Sequence, residues 1–215
     1  YLRQRHSSPL SCCIMGKVQN LFPKWYYHGE VAKHESLKAL LLYELGTATL
    51  TQPKEWNCSV SSSFESDTNQ DDFSWHKFNE YISDNFMDMH MQLGGRVTSD
   101  IKMVEAWMNV YKEGQSQEVH THCGGNNPAF SCAYFLQYDP EKDGKFLFYD
   151  PSQDIHHGFF SKHYPTTNTW FPDVKEGDII IFPSYLHHQV SPQRDTECAR
   201  ITVSANFTLQ SGLQL

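Results

Sequence analysis

The chain has 215 residues, 39% of them apolar and 14% aromatic, with a formal net charge of -8. That length buries one good core and calls for no second independent domain. The acidic balance, without a long basic stripe, argues against duplex nucleic acid or an anionic membrane as the main partner, and no apolar run approaches the roughly 18 residues of a spanning helix.

No signal-peptide pattern surrounds Arg3, Arg5 and Lys17, so a soluble, cytoplasmic protein is expected. Met15 is a candidate start, because an ordinary folded pattern begins only near Val18, Leu21 and Phe22. From His34 to Leu45, Leu37, Leu40, Leu41 and Leu45 recur at helical steps, and Gly46 is a natural stop. The polar, Ser- and Thr-rich stretch 47–70 reads as a surface loop with no assigned function. A longer helix follows, with Asp71 or Asp72 as cap, a stripe of Trp75, Phe78, Ile82, Phe86, Met89 and Leu93, and Gly94-Gly95 at its end. Such a stripe is read as core, bracing a sheet.

After Asp100 the pattern changes to short β-branched and aromatic runs: Val104-Tyr111, Phe130-Tyr138, Lys145-Tyr149, Thr167-Phe171, Asp178-Phe182 and Ala199-Phe207. Turn-rich pieces separate them, as in Asp139-Pro140-Glu141-Lys142-Asp143-Gly144 and Lys175-Glu176-Gly177-Asp178, which suits an antiparallel sandwich or jelly roll. The expected architecture is a mostly β single domain, 1–215. Two amphipathic helices in an N-terminal helical and loop region (1–100) brace a jelly-roll core (101–215). The six cysteines (Cys12, Cys13, Cys58, Cys123, Cys132, Cys198) lack C-x-x-C spacing, so free thiols in a reducing cytosol are expected.

Among twelve histidines, His120-Thr121-His122 is the best local metal pair. Strand residues at i and i+2 share a face, so both imidazoles can reach one ion at about 2.0–2.1 Å. A third ligand should come from a distant strand, and the segment ending in His187-His188-Gln189-Val190 offers one. Arg200 opens the run Arg200-Ile201-Thr202-Val203-Ser204. An arginine on a largely apolar strand needs a partner, and its planar fork suits a carboxylate. Thr202, on the same face, can add a hydroxyl. An internal Asp or Glu would satisfy Arg200 equally well.

Taken together, these elements resemble the 2-oxoglutarate and iron(II)-dependent oxygenases, and more closely the putative 2OG-Fe(II) oxygenase subgroup. The resemblance runs from Asn20-Leu21-Phe22-Pro23 through Trp107-Met108-Asn109-Val110-Tyr111, His120-Thr121-His122 and Ser131-Cys132-Ala133-Tyr134-Phe135-Leu136. It continues through Gly144-Lys145-Phe146-Leu147-Phe148-Tyr149-Asp150-Pro151, Phe182-Pro183-Ser184, His188-Gln189-Val190 and Arg200 to Phe207. It implies a double-stranded β-helix, iron(II), and 2-oxoglutarate as co-substrate. It also implies His120 and His188 as iron ligands, Arg200 as the anchor of the far carboxylate, molecular oxygen as a reactant, and usually hydroxylation of a small-molecule or peptide substrate. Its His-x-Val pattern selects His188 over His187, which then faces the surface or a loop.

One departure matters. The family's His-x-Asp or His-x-Glu is replaced here, and His122 stands in the carboxylate position. A three-histidine face is expected, with Asp150 as the alternative third ligand. Tyr134 and Asn109 are candidates to reach 2-oxoglutarate, although packing also accounts for Tyr134, Trp170 and Phe171. His156, His157 and His163 lie in a polar connection and are expected to be exposed. Two other readings stand beside this one: a cupin-like three-histidine metalloenzyme without 2-oxoglutarate, and a non-enzymatic jelly-roll binding module. The N-terminal helices would serve equally as a homodimer face or as a cap on the sheet.

Overall fold

The structure is a computed structural model, and it describes residues 24–95, 99–124, 128–151, 162–163, 167–194 and 199–211. Met15, Cys12, Cys13, Cys198, His156, His157 and the segment Asn20-Leu21-Phe22-Pro23 lie outside the described residues.

In chain order the elements are β1 (Tyr27–Glu30), α1 (His34–Leu45), β2 (Ser61–Ser62), α2 (Asn69–Asp72), α3 (Trp75–Gln92), β3 (Ser99–Tyr111), β4 (Gln117–His120), β5 (Phe130–Gln137), β6 (Phe146–Tyr149), β7 (Thr169–Trp170), β8 (Asp178–Pro183), β9 (His187–Val190) and β10 (Arg200–Ser211). They form two antiparallel sheets, one of six strands in the order β1-β8-β5-β10-β3-β2 and one of four in the order β4-β9-β6-β7. The order interleaves strands distant in sequence, as in a jelly roll. Both edge strands of the larger sheet come from the first hundred residues: β1 pairs with β8, and β2 with β3. Among the described residues no helix is long and apolar enough to cross a membrane.

The larger sheet is buried on both faces. On one, Leu37 and Leu41 of α1 and Phe78, Ile82, Phe86 and Met89 of α3 pack against Met108, Tyr134, Val203 and Ala205. On the other, Tyr111, Ala133, Phe135, Ile180 and Phe182 meet Phe146, Phe148 and Val190 of the smaller sheet. The helical spacing of the leucines and aromatics thus brings the brace onto the sheet, as the periodicity indicates.

Three local expectations are corrected. Asp71 and Asp72 belong to the one-turn helix α2, and Ser74 precedes α3. Leu93 is half exposed, because the helix ends at Gln92 and Gly94, at φ 71, turns the chain away from the core. Trp170 and Phe171 are exposed instead of packed in the barrel, since β7 is a two-residue edge strand that reaches only the rim. The turn at Gly177 does form where the composition indicates: φ is +89, and an added Cβ would meet the His34 ring at 3.1 Å, so glycine fits both the conformation and the close approach.

Candidate metal centre and anion site

The pairing of β4 with β9 sets His120 directly opposite His188, so the two rings project from the same face. His122 lies two residues further along an extended segment, where its backbone N–H donates to the Ser184 carbonyl at 2.9 Å. Ring nitrogens of all three histidines lie within 4.8 Å of one another, close enough to share one ion. Asp150 is not in this group: its carboxylate pairs with the Lys24 ammonium at 2.7 Å, at the end of β6. The alternative third ligand is therefore corrected in favour of the three-histidine arrangement.

Backbone carbonyls orient two of the rings. His120 Nδ1 lies 2.9 Å from the Glu118 carbonyl and His188 Nδ1 lies 2.8 Å from that of Leu186. A carbonyl only accepts, so each Nδ1 carries the proton and each Nε2 offers a lone pair. His122 is set differently. Its Nδ1 faces the Asn206 side-chain NH2 at 3.4 Å, and its Nε2 lies 3.2 Å from His188 Nε2. The orientation of the Asn206 amide is held from both ends, by donation to Glu105 at 2.6 Å and acceptance from Ser131 at 2.7 Å. His122 thus presents an Nε2–H to His188, and binding a metal through Nε2 requires its other tautomer.

Burial holds all three rings neutral, the state that binds metal: it lowers His120, pulls His188 well below the usual histidine range, and brings His122 to about 3. In the unfolded chain a histidine takes up a proton near 6.5. Between these limits the unfolded state binds more protons, so the stability of the metal-free protein should fall as pH drops from about 6.5 toward 3. Linkage sets the slope at up to about 1.4 kcal/mol per pH unit for each such histidine. Urea midpoints at pH 7 and pH 5 check this, and equal midpoints would contradict it.

Arg200 opens β10 opposite Tyr111 of β3 and is 1% exposed. Its guanidinium carbon sits 4.7 Å from the Tyr111 ring centroid, with the rings of Tyr138 and Phe135 at 5.6 and 5.7 Å. No protein acceptor reaches its Nε or Nη1, and burial lowers its pKa from the ordinary arginine value. No internal Asp or Glu forms an ion pair with it among the described residues. The Tyr111 hydroxyl, pushed by burial up to about 12, donates to Gln117 at 2.8 Å. Thr202 and Ser204 follow Arg200 at the two-residue period of the strand.

Arg200, Thr202, Trp107, His120, His122 and His188 line one interior cavity of about 20 Å³. Asn109, opposite Thr202, donates to Ser204 at 3.2 Å and does not line that cavity. Tyr134 is placed on the other face, where its hydroxyl meets His34 Nδ1 at 2.5 Å and its ring packs near Phe78. Its candidacy for the anion site is corrected by the alternation of β5, which turns Ala133 and Phe135 toward the site and Tyr134 toward the helices.

His187 faces away from the cluster, with Tyr149, Trp170 and Tyr26, onto an outer cavity of about 340 Å³. His163 is exposed, as expected. The composition had not singled out Trp56, Glu105, Gln117, Glu118 or Asn206, which the fold brings beside the histidines; isolated strand charges carry no spacing signal.

Residues 105–206 match the family described as Putative 2OG-Fe(II) oxygenase. Among curated proteins none matches. Similar solved structures include a Pseudomonas putida prolyl-4-hydroxylase (12% identity, 86% of this chain and 92% of that chain, TM-score 0.57). HygX from Streptomyces hygroscopicus, with nickel, 2-oxoglutarate and hygromycin B bound, is 11% identical over 86% of this chain and 83% of its own, with a TM-score of 0.59. A prolyl hydroxylase from Trichoplax adhaerens, in complex with a hypoxia inducible factor peptide fragment, is 12% identical over 85% of this chain and 83% of its own, with a TM-score of 0.54. At these identities the likeness is one of fold, the double-stranded β-helix.

Proposed function

We propose that this chain, whose residues 105–206 match the family described as Putative 2OG-Fe(II) oxygenase, is a 2-oxoglutarate and iron(II)-dependent oxygenase that hydroxylates a small-molecule or peptide substrate at the His120-His122-His188 cluster. Iron(II) and 2-oxoglutarate are the family's cofactors, and the residues present fit both. Three neutral imidazoles suit a divalent first-row metal. A buried guanidinium without a protein acceptor on Nε or Nη1 suits a carboxylate. That buried Arg200, with Nε and Nη1 unsatisfied and on the same cavity as the histidines, is the observation that carries the reading.

In this reading His120 and His188 offer Nε2 as they stand, and His122 does so after its proton moves to Nδ1. Arg200 grips the far carboxylate of 2-oxoglutarate, with the Thr202 hydroxyl as a second donor. Bound iron with 2-oxoglutarate supplies the oxidising power to insert an oxygen atom from O2 into a C–H bond. The surrounding rings of Trp107, Phe146 and Phe182 exclude water from that chemistry. The cavity holds roughly one water molecule's volume, so a five-carbon diacid must push its lining side chains outward on binding.

His122 in the carboxylate position supports a second reading, a three-histidine metalloenzyme that does not use 2-oxoglutarate. Anaerobic titration of the iron(II)-loaded protein with 2-oxoglutarate separates the two. A saturable visible charge-transfer band is expected from a chelated keto acid. Bound iron without any band would favour the second reading.

A further inference from the structure

Beside the histidine cluster, on the side of His120 and His122, lies a cavity of about 290 Å³ whose walls are aromatic and acidic. Trp56, Phe64 and Trp107 form a continuous aromatic wall, with ring centroids 5.1 Å apart at each step, and Trp107 continues to His122 at 5.8 Å. Glu105 and Glu118 line the same space. Glu105 accepts one hydrogen bond, from Asn206, and Glu118 accepts the Asn57 backbone N–H at 3.0 Å. Among the described residues neither forms an ion pair. Glu118 Oε2 is buried and without a hydrogen-bond partner, and so is Nε1 of Trp107, a residue only 2% exposed.

We propose that this cavity receives a protonated amine of the substrate, so that the molecule oxidised at the histidine cluster is an alkylammonium compound or a chain bearing one. This inference rests on reading that cluster as the reaction centre.

The chemistry of the walls selects the ligand. Two carboxylates without a basic partner favour a cation, and aromatic faces attract one through their ring quadrupoles. A bare metal ion fits less well, because Glu105 and Glu118 fall in no group of closely spaced ligand atoms among the described residues. An organic ammonium uses both features: its charge meets the carboxylates and its alkyl stem lies along the tryptophan faces. A neutral substrate would leave Glu118 Oε2 buried without compensation, and an anionic one would meet two like charges. The contiguity of this space with His120 and His122 places a carbon of such a chain next to the metal ligands.

The test is calorimetric titration of the full-length protein, metal-free and nickel-loaded, with n-pentylammonium, the near-isosteric n-pentanol and pentanoate. Pentylammonium should bind at least about tenfold more tightly than the alcohol, and pentanoate should not bind. Glu118→Gln and Glu105→Gln should each weaken the ammonium at least about fivefold while leaving the alcohol unchanged. Thermal midpoints establish that each variant is folded, and Glu118→Gln is decisive if Glu105→Gln is not, since Glu105 also holds Asn206. Equal binding of amine and alcohol, no binding of the amine, or indifference to Glu118→Gln would overturn the proposal. Because the metal-free protein is titrated too, failure of the metal reading shows separately, as an absence of retained nickel.

Discussion

Replacing Arg200 with methionine is expected to abolish measurable 2-oxoglutarate binding, leave metal content intact, and raise the stability of the ligand-free protein. The three effects have one cause. Arg200 is a fully buried cation that forms no ion pair among the described residues; it lies against the faces of Tyr111, Tyr138 and Phe135, and Tyr111 and Asp143 compensate its charge only in part, since burial still lowers its pKa. Such contacts are worth about 1–2 kcal/mol, less than the several kcal/mol needed to take a guanidinium out of water. An apolar side chain of similar length removes that cost, and a gain of about 1–4 kcal/mol follows by analogy with buried ion groups replaced by hydrophobic ones.

A carboxylate ligand loses its partner in the same substitution. Truncating one member of a buried, hydrogen-bonded charge pair costs about 2–5 kcal/mol, or roughly 30-fold to several thousand-fold in affinity. Denaturant midpoints with and without 2-oxoglutarate measure both effects, because a ligand that binds only the folded state raises the midpoint. Loss of stability and metal together would instead mark Arg200 as a structural residue.

His188→Ala should remove bound iron from a protein that still folds. His188 is 4% exposed, stacked on Phe146 with centroids 5.5 Å apart and held at Nδ1 by the Leu186 carbonyl, so its Nε2 is fixed toward the other two rings. Even outer partners of a metal-bound imidazole are worth 10- to 100-fold in metal affinity, and loss of a ligand itself should exceed that. The cavity left by the ring costs about 2–4 kcal/mol, as for other large-to-small changes in a core. The neighbouring His187→Ala is the control, since that side chain faces the outer cavity and its removal should leave metal content unchanged. Stoichiometric iron in His188→Ala would discard the three-histidine assignment.

Helices α1 and α3 were legible in the sequence because each has one buried stripe: the leucines of α1 and the aromatic and methionine row of α3 recur at the helical period. The strands of the sheets were legible as runs, but not always their faces. β5 is buried along nearly its whole length, since helices cover one side of the sheet and the second sheet covers the other. With no polar side to alternate against, nothing in Phe130–Gln137 distinguishes the site face from the helix face, and Tyr134 was assigned to the wrong one. β1 and β2 escaped notice because four- and two-residue edge strands carry too little pattern.

Chain spacing by itself determined the pairing of His120 with His122 and the common face of Arg200 and Thr202, because a strand repeats every two residues regardless of its surroundings. Spacing alone left the distant His188 beside His187, and the resemblance, through its His-x-Val pattern, selected His188. The registers of β4 with β9 and of β3 with β10 decided the rest, setting His188 opposite His120 and Arg200 opposite Tyr111, while the packing of β5 between helices and second sheet turned Tyr134 toward the helices. They also brought Glu105 and Glu118 to one cavity with tryptophans from distant segments. Register is a property of two strands packed together, and the free energy that selects it comes from burying both faces at once, so no single segment carries it.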